Sequence, residues 1–91
     1  MLEIISKENC QFCTRAKQLL DSKKIPYIEK KLGVDISRDE VLELYPVMKT
    51  VPIITTTTGR LIGGFTQLNQ LNLQGILDEF SLEKLEDPDE N

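Results

Sequence analysis

The apolar positions of this chain change rhythm several times, and each change marks an element. Leu2, Ile4 and Ile5 form a short cluster that predicts a buried strand. In the next segment, "ENCQFCTRAKQLLDSKK", apolar Cys13, Ala16, Leu19 and Leu20 recur at the spacing of one helix face. Asn9 or Cys10 stands where its N-cap should be. "IPYIEKKL" predicts a second strand, with Pro26 at its start, where a missing N–H does least harm. Strand, helix, strand within about thirty residues is a βαβ unit, so these two strands should run parallel.

"DISRDEVLELYPVMKT" opens with Ser37 and Glu40 in the S-x-x-E spacing of a capping box. Val41, Leu44, Tyr45 and Met48 then fall at i, i+3, i+4 and i+7, and Pro46 should cap or kink the last turn. "VPIITTTTGRLIGGF" holds two β-rich runs about Thr58-Gly59, which is a hairpin signal. Its run of threonines suits an exposed strand and its turn. The last apolar set is Leu68, Leu71, Ile76, Leu77 and Phe80, in a helical segment that Gly75 should break into two short helices. The order β-α-β-α-β-β-α predicts an α/β fold: one four-stranded mixed sheet with helices on both faces.

Composition narrows the class. With 91 residues, 40% of them hydrophobic and 29% charged, the chain has the make-up of one small globular domain. No apolar run is long enough to cross a bilayer, and no membrane partner is expected. The opening "MLEIIS" lacks the basic start and long apolar stretch of a signal peptide, so a cytoplasmic, reducing setting is expected. The net charge of −4 is unevenly spread. Residues 1–77 carry ten Lys or Arg against eight Asp or Glu, while residues 78–91 carry seven acids against Lys84 alone. The expected division is a folded domain over residues 1–80 and an acidic tail over 81–91, a helix end and then disorder. No basic stripe with interleaved aromatics is present, so nucleic acid is not an expected partner.

The chemistry concentrates in "CQFC", which holds both cysteines of the chain. A structural zinc site needs four ligands, usually Cys or His, and this chain has two Cys and no His, so no metal site is expected. A permanent staple is also a poor reading. Closing so short a loop removes little chain entropy, and a reducing compartment would open it. Inert buried cysteines are the plain alternative, because Cys is a common small core residue. A redox pair after a strand, at the opening of a helix, explains both the spacing and the position. A Cys10 thiolate would lie over the first free N–H groups of the helix, including those of Phe12 and Cys13, with Lys7 near. Such settings bring a thiol pKa from about 8.5 down to roughly 3.5–7.5. Cys13, one turn on and on the apolar face, lacks this help. Cys10 is the expected attacking sulfur and Cys13 the resolving one.

Three separated motifs, "CQFC" at 10–13, "TVP" at 50–52 and "GGF" at 63–65, make the chain resemble a glutaredoxin of the dithiol type, a member of the thioredoxin superfamily. The likeness covers residues 1–80 in spacing and element order, which implies a thioredoxin-like fold. It implies a thiol–disulfide oxidoreductase that reduces protein disulfides and glutathione mixed disulfides, with glutathione as reductant and no tightly bound cofactor. Pro52 would be a cis proline facing the thiols, leaving the main chain of Val51 free to pair with an extended peptide such as glutathione. Thr50, Val51 and Pro52 would then line one side of the glutathione site, and Phe12 would give it a flat apolar wall. Gly63 and Gly64 would let the backbone approach the ligand, although a bulge in a hairpin strand is the simpler reading. Thr66 would cap the final helix, whose N-terminus suits a carboxylate, and Gln67 would follow in the site. Lys7 and Lys49 match positions that hold the other carboxylate of glutathione.

Two departures matter. Gln11 and Phe12 stand where the family often has Pro and Tyr, and Gln67 replaces the usual acid after the Gly-Gly motif. A neutral Gln67 cannot balance the ammonium of glutathione, so weaker glutathione selectivity is expected. The implied partners are glutathione and disulfide-containing client proteins, with ribonucleotide reductase as one client, and the expected state is a monomer. Two other readings stay open: a redoxin reduced by thioredoxin reductase, and a dimer holding an iron–sulfur cluster through Cys10 and glutathione.

Overall fold

The computed structural model describes residues 2–77. The element order is β1 (Leu2–Ser6), α1 (Gln11–Ser22), β2 (Tyr27–Lys31), α2 (Arg38–Leu44), β3 (Ile53–Thr56), β4 (Leu61–Gly63) and α3 (Phe65–Leu73). Four strands form one sheet in the order β2-β1-β3-β4. β1 runs parallel to β2 and antiparallel to β3, and β3 and β4 form the antiparallel hairpin. The sheet is therefore mixed, with the βαβ unit at one side and the hairpin at the other.

The two faces of the sheet separate by the period-two alternation of its central strands. Leu2, Ile4 and Ile54 pack with Ala16 and Leu20 of α1 and Leu68 of α3. Ile5 and Ile53 turn to the opposite side, where Val41 of α2 covers them together with Ile36. β1 is thus buried on both faces, which is why its apolar residues are almost continuous instead of alternating.

Local chemistry sets the ends of the helices. Ser37 accepts from the Glu40 N–H at 3.1 Å, and Glu40 accepts from the Ser37 N–H at 3.0 Å, so the capping box opens α2. α2 then stops at Leu44, with Tyr45 as its C-cap, one residue ahead of Pro46. The helical spacing therefore does not extend to Met48. Tyr45 and Met48 still pack on the core, but Leu44 is exposed. At the end of α3, Gly75 has a φ of +79°. Its N–H bonds to Asn72 O, and the Ile76 N–H bonds to Leu71 O. That pair of bonds is a Schellman stop, and it breaks the helix where the sequence placed the break. It leaves Ile76 exposed, against expectation, and Leu77 buried. Thr55 also departs from the expected exposed run, being buried on the α2 side of β3. Phe80 and the acidic tail lie outside the described residues.

One polar network ties α1 to the sheet. Ser6 Oγ donates to Glu29 Oε2 at 2.6 Å, and Lys17 Nζ bonds the same oxygen at 2.9 Å. These two hydrogen bonds, Ser6 first, hold the Glu29 carboxyl below its usual range. A group with a lowered folded-state pKa stabilises the fold above the ordinary carboxylate range, and that contribution fades as pH falls through the lowered value. With side chains 27% exposed on both partners, solvent screens the ion pair. Glu29→Gln should therefore cost about 1 kcal/mol near pH 7. Urea unfolding at neutral pH and at about pH 2.5 should show the gap between variant and parent closing in acid.

Candidate active site

β1 ends at Ser6, and the chain then turns through Asn9, whose φ of +57° is left-handed, to reach Cys10. Asn tolerates this conformation better than most residues. Cys10, not Asn9, is the N-cap of α1, with extended backbone and its Sγ 3.1 Å from the Cys13 N–H. A helix N-terminus leaves such donors without backbone partners, and here the sulfur takes one. Cys10 and Cys13 form a disulfide, with Cα atoms 5.2 Å apart. The two sulfurs differ in access: Cys13 is 1% exposed, while Cys10 stands at the surface end of the helix, partly open.

The Val51–Pro52 peptide bond is cis, and Val51 O lies 3.9 Å from Cys10 Sγ. A disulfide sulfur has no proton, so this is a contact in the oxidised protein. The reduced thiol has a proton to donate there. Among the described residues, neither the N–H nor the C=O of Val51 has a main-chain partner.

Beside the disulfide lies an open cleft of about 510 Å³. Residues 47–52 form one wall, which brings Lys49, Thr50, Val51 and Pro52 together. Gly63, Gly64, Thr66 and Gln67 form the other, at the start of α3. Phe12 closes one side, 53% exposed, with its ring 6.0 Å from that of Phe65 and the Arg15 guanidinium 5.5 Å from its centroid. The residues singled out after the cysteines thus share one cleft, with one exception. Lys7 lines a second concavity, which Cys10 itself lines together with Glu8, Gln11, Thr14, Lys17 and Lys31.

The start of α3 differs from expectation. Its N-cap is Gly64, so Thr66 is already inside the first turn and does not cap the helix. Gln67 does that work instead: its Oε1 accepts the Gly64 N–H at 2.9 Å. The N-cap-to-N3 spacing of Gly64 and Gln67 carried that signal, which the missing Ser or Thr obscured. Gly63 joins a bulge, because the β3–β4 register shifts between Ile54 and Thr55. The next residue brings the two walls together: a Cβ on Gly64 would lie 3.5 Å from Pro52 O, in ordinary contact range.

A cystine at a helix N-terminus, beside a cis proline and on a mixed sheet of this order, defines a thioredoxin-like thiol–disulfide redox protein. The glutaredoxin family model matches residues 2–62. Glutaredoxin 3 of Escherichia coli strain K12 is 35% identical over 77 residues, which cover 85% of this chain and 92% of that protein. A probable glutaredoxin of Synechocystis is 39% identical over 79 residues, covering 85% of this chain and 71% of its own length. Among solved structures, a buckwheat glutaredoxin–glutathione complex matches with a TM-score of 0.73 and 27% identity, over 91% of this chain and 77% of that one. The chain belongs to the glutaredoxin family, whose members are glutathione-dependent thiol–disulfide oxidoreductases.

The two glycines of the cleft should respond differently to a methyl group. At Gly63 the φ is +131°, and a Cβ would fall 2.8 Å from Gln67 Cγ. Gly63→Ala should cost about 1–3 kcal/mol. Gly64→Ala meets nothing closer than 3.5 Å and loses only the N-cap preference, about 0.5 kcal/mol. Thermal unfolding of the two variants tests the order, and equal losses would contradict the backbone geometry of this wall.

Proposed function

We propose that Cys10 is the attacking sulfur and Cys13 the resolving one in reduction of protein disulfides and glutathione mixed disulfides. The asymmetry of the pair carries this reading: a partly open sulfur on a free helix N–H, and a second sulfur buried behind it. The Cys10 thiolate attacks the glutathione-derived sulfur of a mixed disulfide, and the client leaves as its thiol. A second glutathione, as thiolate, attacks the glutathione sulfur held on Cys10 and releases glutathione disulfide. The net exchange consumes one free glutathione, the other half of the glutathione disulfide having arrived in the mixed disulfide. With a protein disulfide, the Cys10 thiolate attacks one sulfur to form a mixed disulfide, and Cys13 then attacks Cys10 and expels the client as its dithiol. Two glutathiones reduce the resulting Cys10–Cys13 disulfide, supply the two electrons and leave as glutathione disulfide.

We place glutathione in the cleft between residues 49–52 and the start of α3. The unpaired main chain of Val51 supports pairing with an extended peptide there, and Lys49 supplies a cation for a carboxylate. Lys7 contributes from the concavity it shares with Cys10, as a cation for incoming thiolates. The working form is a monomer, in a reducing, cytoplasmic setting where the dithiol state is maintained. No helix among the described residues is long and apolar enough to cross a membrane.

Two serine variants test the roles. Cys13→Ser should keep at least about a third of the turnover of a glutathionylated peptide while losing protein-disulfide reduction more than about tenfold. Cys10→Ser should fall to background in both assays. Equal behaviour of the two variants would undo the assignment.

A further inference from the structure

The cleft beside the disulfide is lined by one cation, Lys49, and among the described residues by no acid. The two helices that open onto it repeat this one-sidedness, since neither α1 nor α3 has an acidic residue in its first turn. The acyl oxygen available on the α3 wall belongs to Gln67, which is neutral and already accepts the Gly64 N–H. A ligand ammonium bound anywhere along these walls meets no carboxylate. A ligand carboxylate meets a lysine and free helix N–H groups.

Glutathione carries two carboxylates and one ammonium at neutral pH. We propose that this cleft selects its thiol through the anionic groups alone, and that acidic low-molecular-weight thiols without an amino group serve it as well as glutathione does. This rests on the cleft being the glutathione site. The exchange balances as before with any such thiol XSH. The Cys10 thiolate takes the X sulfur from a client–S–S–X disulfide and the client leaves as its thiol. A second XSH, deprotonated, then attacks that sulfur, giving X–S–S–X and free Cys10 thiolate. One XSH is consumed per client released, the other half of X–S–S–X coming from the mixed disulfide.

Gln67 is the residue that sets this preference. Gln67→Glu keeps the side-chain length and the acceptor for the Gly64 N–H, as in an ordinary capping box. It adds the one carboxylate the walls lack. An exposed ion pair of this kind is worth up to about fivefold in binding.

The test uses one reporter peptide carrying either glutathione or glutaryl-cysteinyl-glycine, which is glutathione without its amino group, in mixed disulfide. For the parent protein, kcat/KM for the two should agree within about twofold. For Gln67→Glu, the ratio should move toward glutathione, by up to about fivefold, through KM. A parent preference for glutathione of fivefold or more would overturn the inference while leaving the proposed function intact. An unmoved ratio in a folded Gln67→Glu protein would overturn the role of Gln67. Failure of the parent to turn over either peptide would remove the proposed function and the inference together.

Discussion

The site rests on a helical constraint: two cysteines three residues apart cannot share one environment at the start of a helix. The first stands at the N-cap, where N–H groups lack backbone partners. The second, most of a turn later, falls on the stripe that continues through Ala16 and Leu20 into the core. Burying that stripe against β1 fixes the rotation of α1, and with it which sulfur faces outward. The Lys17–Glu29–Ser6 network acts on the same helix one turn beyond Cys13, so the redox pair inherits its asymmetry from the packing of the βαβ unit.

The value of that asymmetry is not simply a more abundant thiolate. An ordinary thiol is only about 3% ionised at pH 7. Lowering its pKa by about three units raises the thiolate roughly thirtyfold, but a Brønsted slope near 0.45 makes each thiolate about twentyfold less nucleophilic. The two effects nearly cancel for attack. The larger gain comes on exit, since a sulfur of lowered pKa is the better leaving group in thiol–disulfide exchange.

Much of this was legible in the sequence, for reasons that differ by element. The β1–α1–β2 unit was readable because its apolar positions are set by burial on known faces, and the Ser37–Glu40 box because capping is a local interaction. The breaks came where tertiary geometry overrode periodicity. The i+7 spacing of Met48 promised another helical turn, but Pro46 ends α2 early and Leu44 is left outside. Thr55 looked like part of a polar run, yet a strand places alternate residues on opposite faces, and its face is under α2. In the cleft, the resemblance to glutaredoxins, carried by three short motifs, marked most of the residues that the fold brings together. The capping role of Thr66 was misread, because Gly64 as N-cap moves the helix start two residues toward the bulge.

The turn between the cysteines lacks proline, so its order has to come from elsewhere. Phe12, between them, is held by Phe65 from the start of α3 and by Arg15 from its own helix. Such aromatic and cation–π contacts contribute roughly 0.5–1.5 kcal/mol each, enough to bias one ring position without freezing it. The same ring forms a side of the cleft. The conformation of the redox turn and the shape of the ligand site are therefore set by one shared contact between two helix N-termini, where a proline would have fixed the turn independently of the cleft.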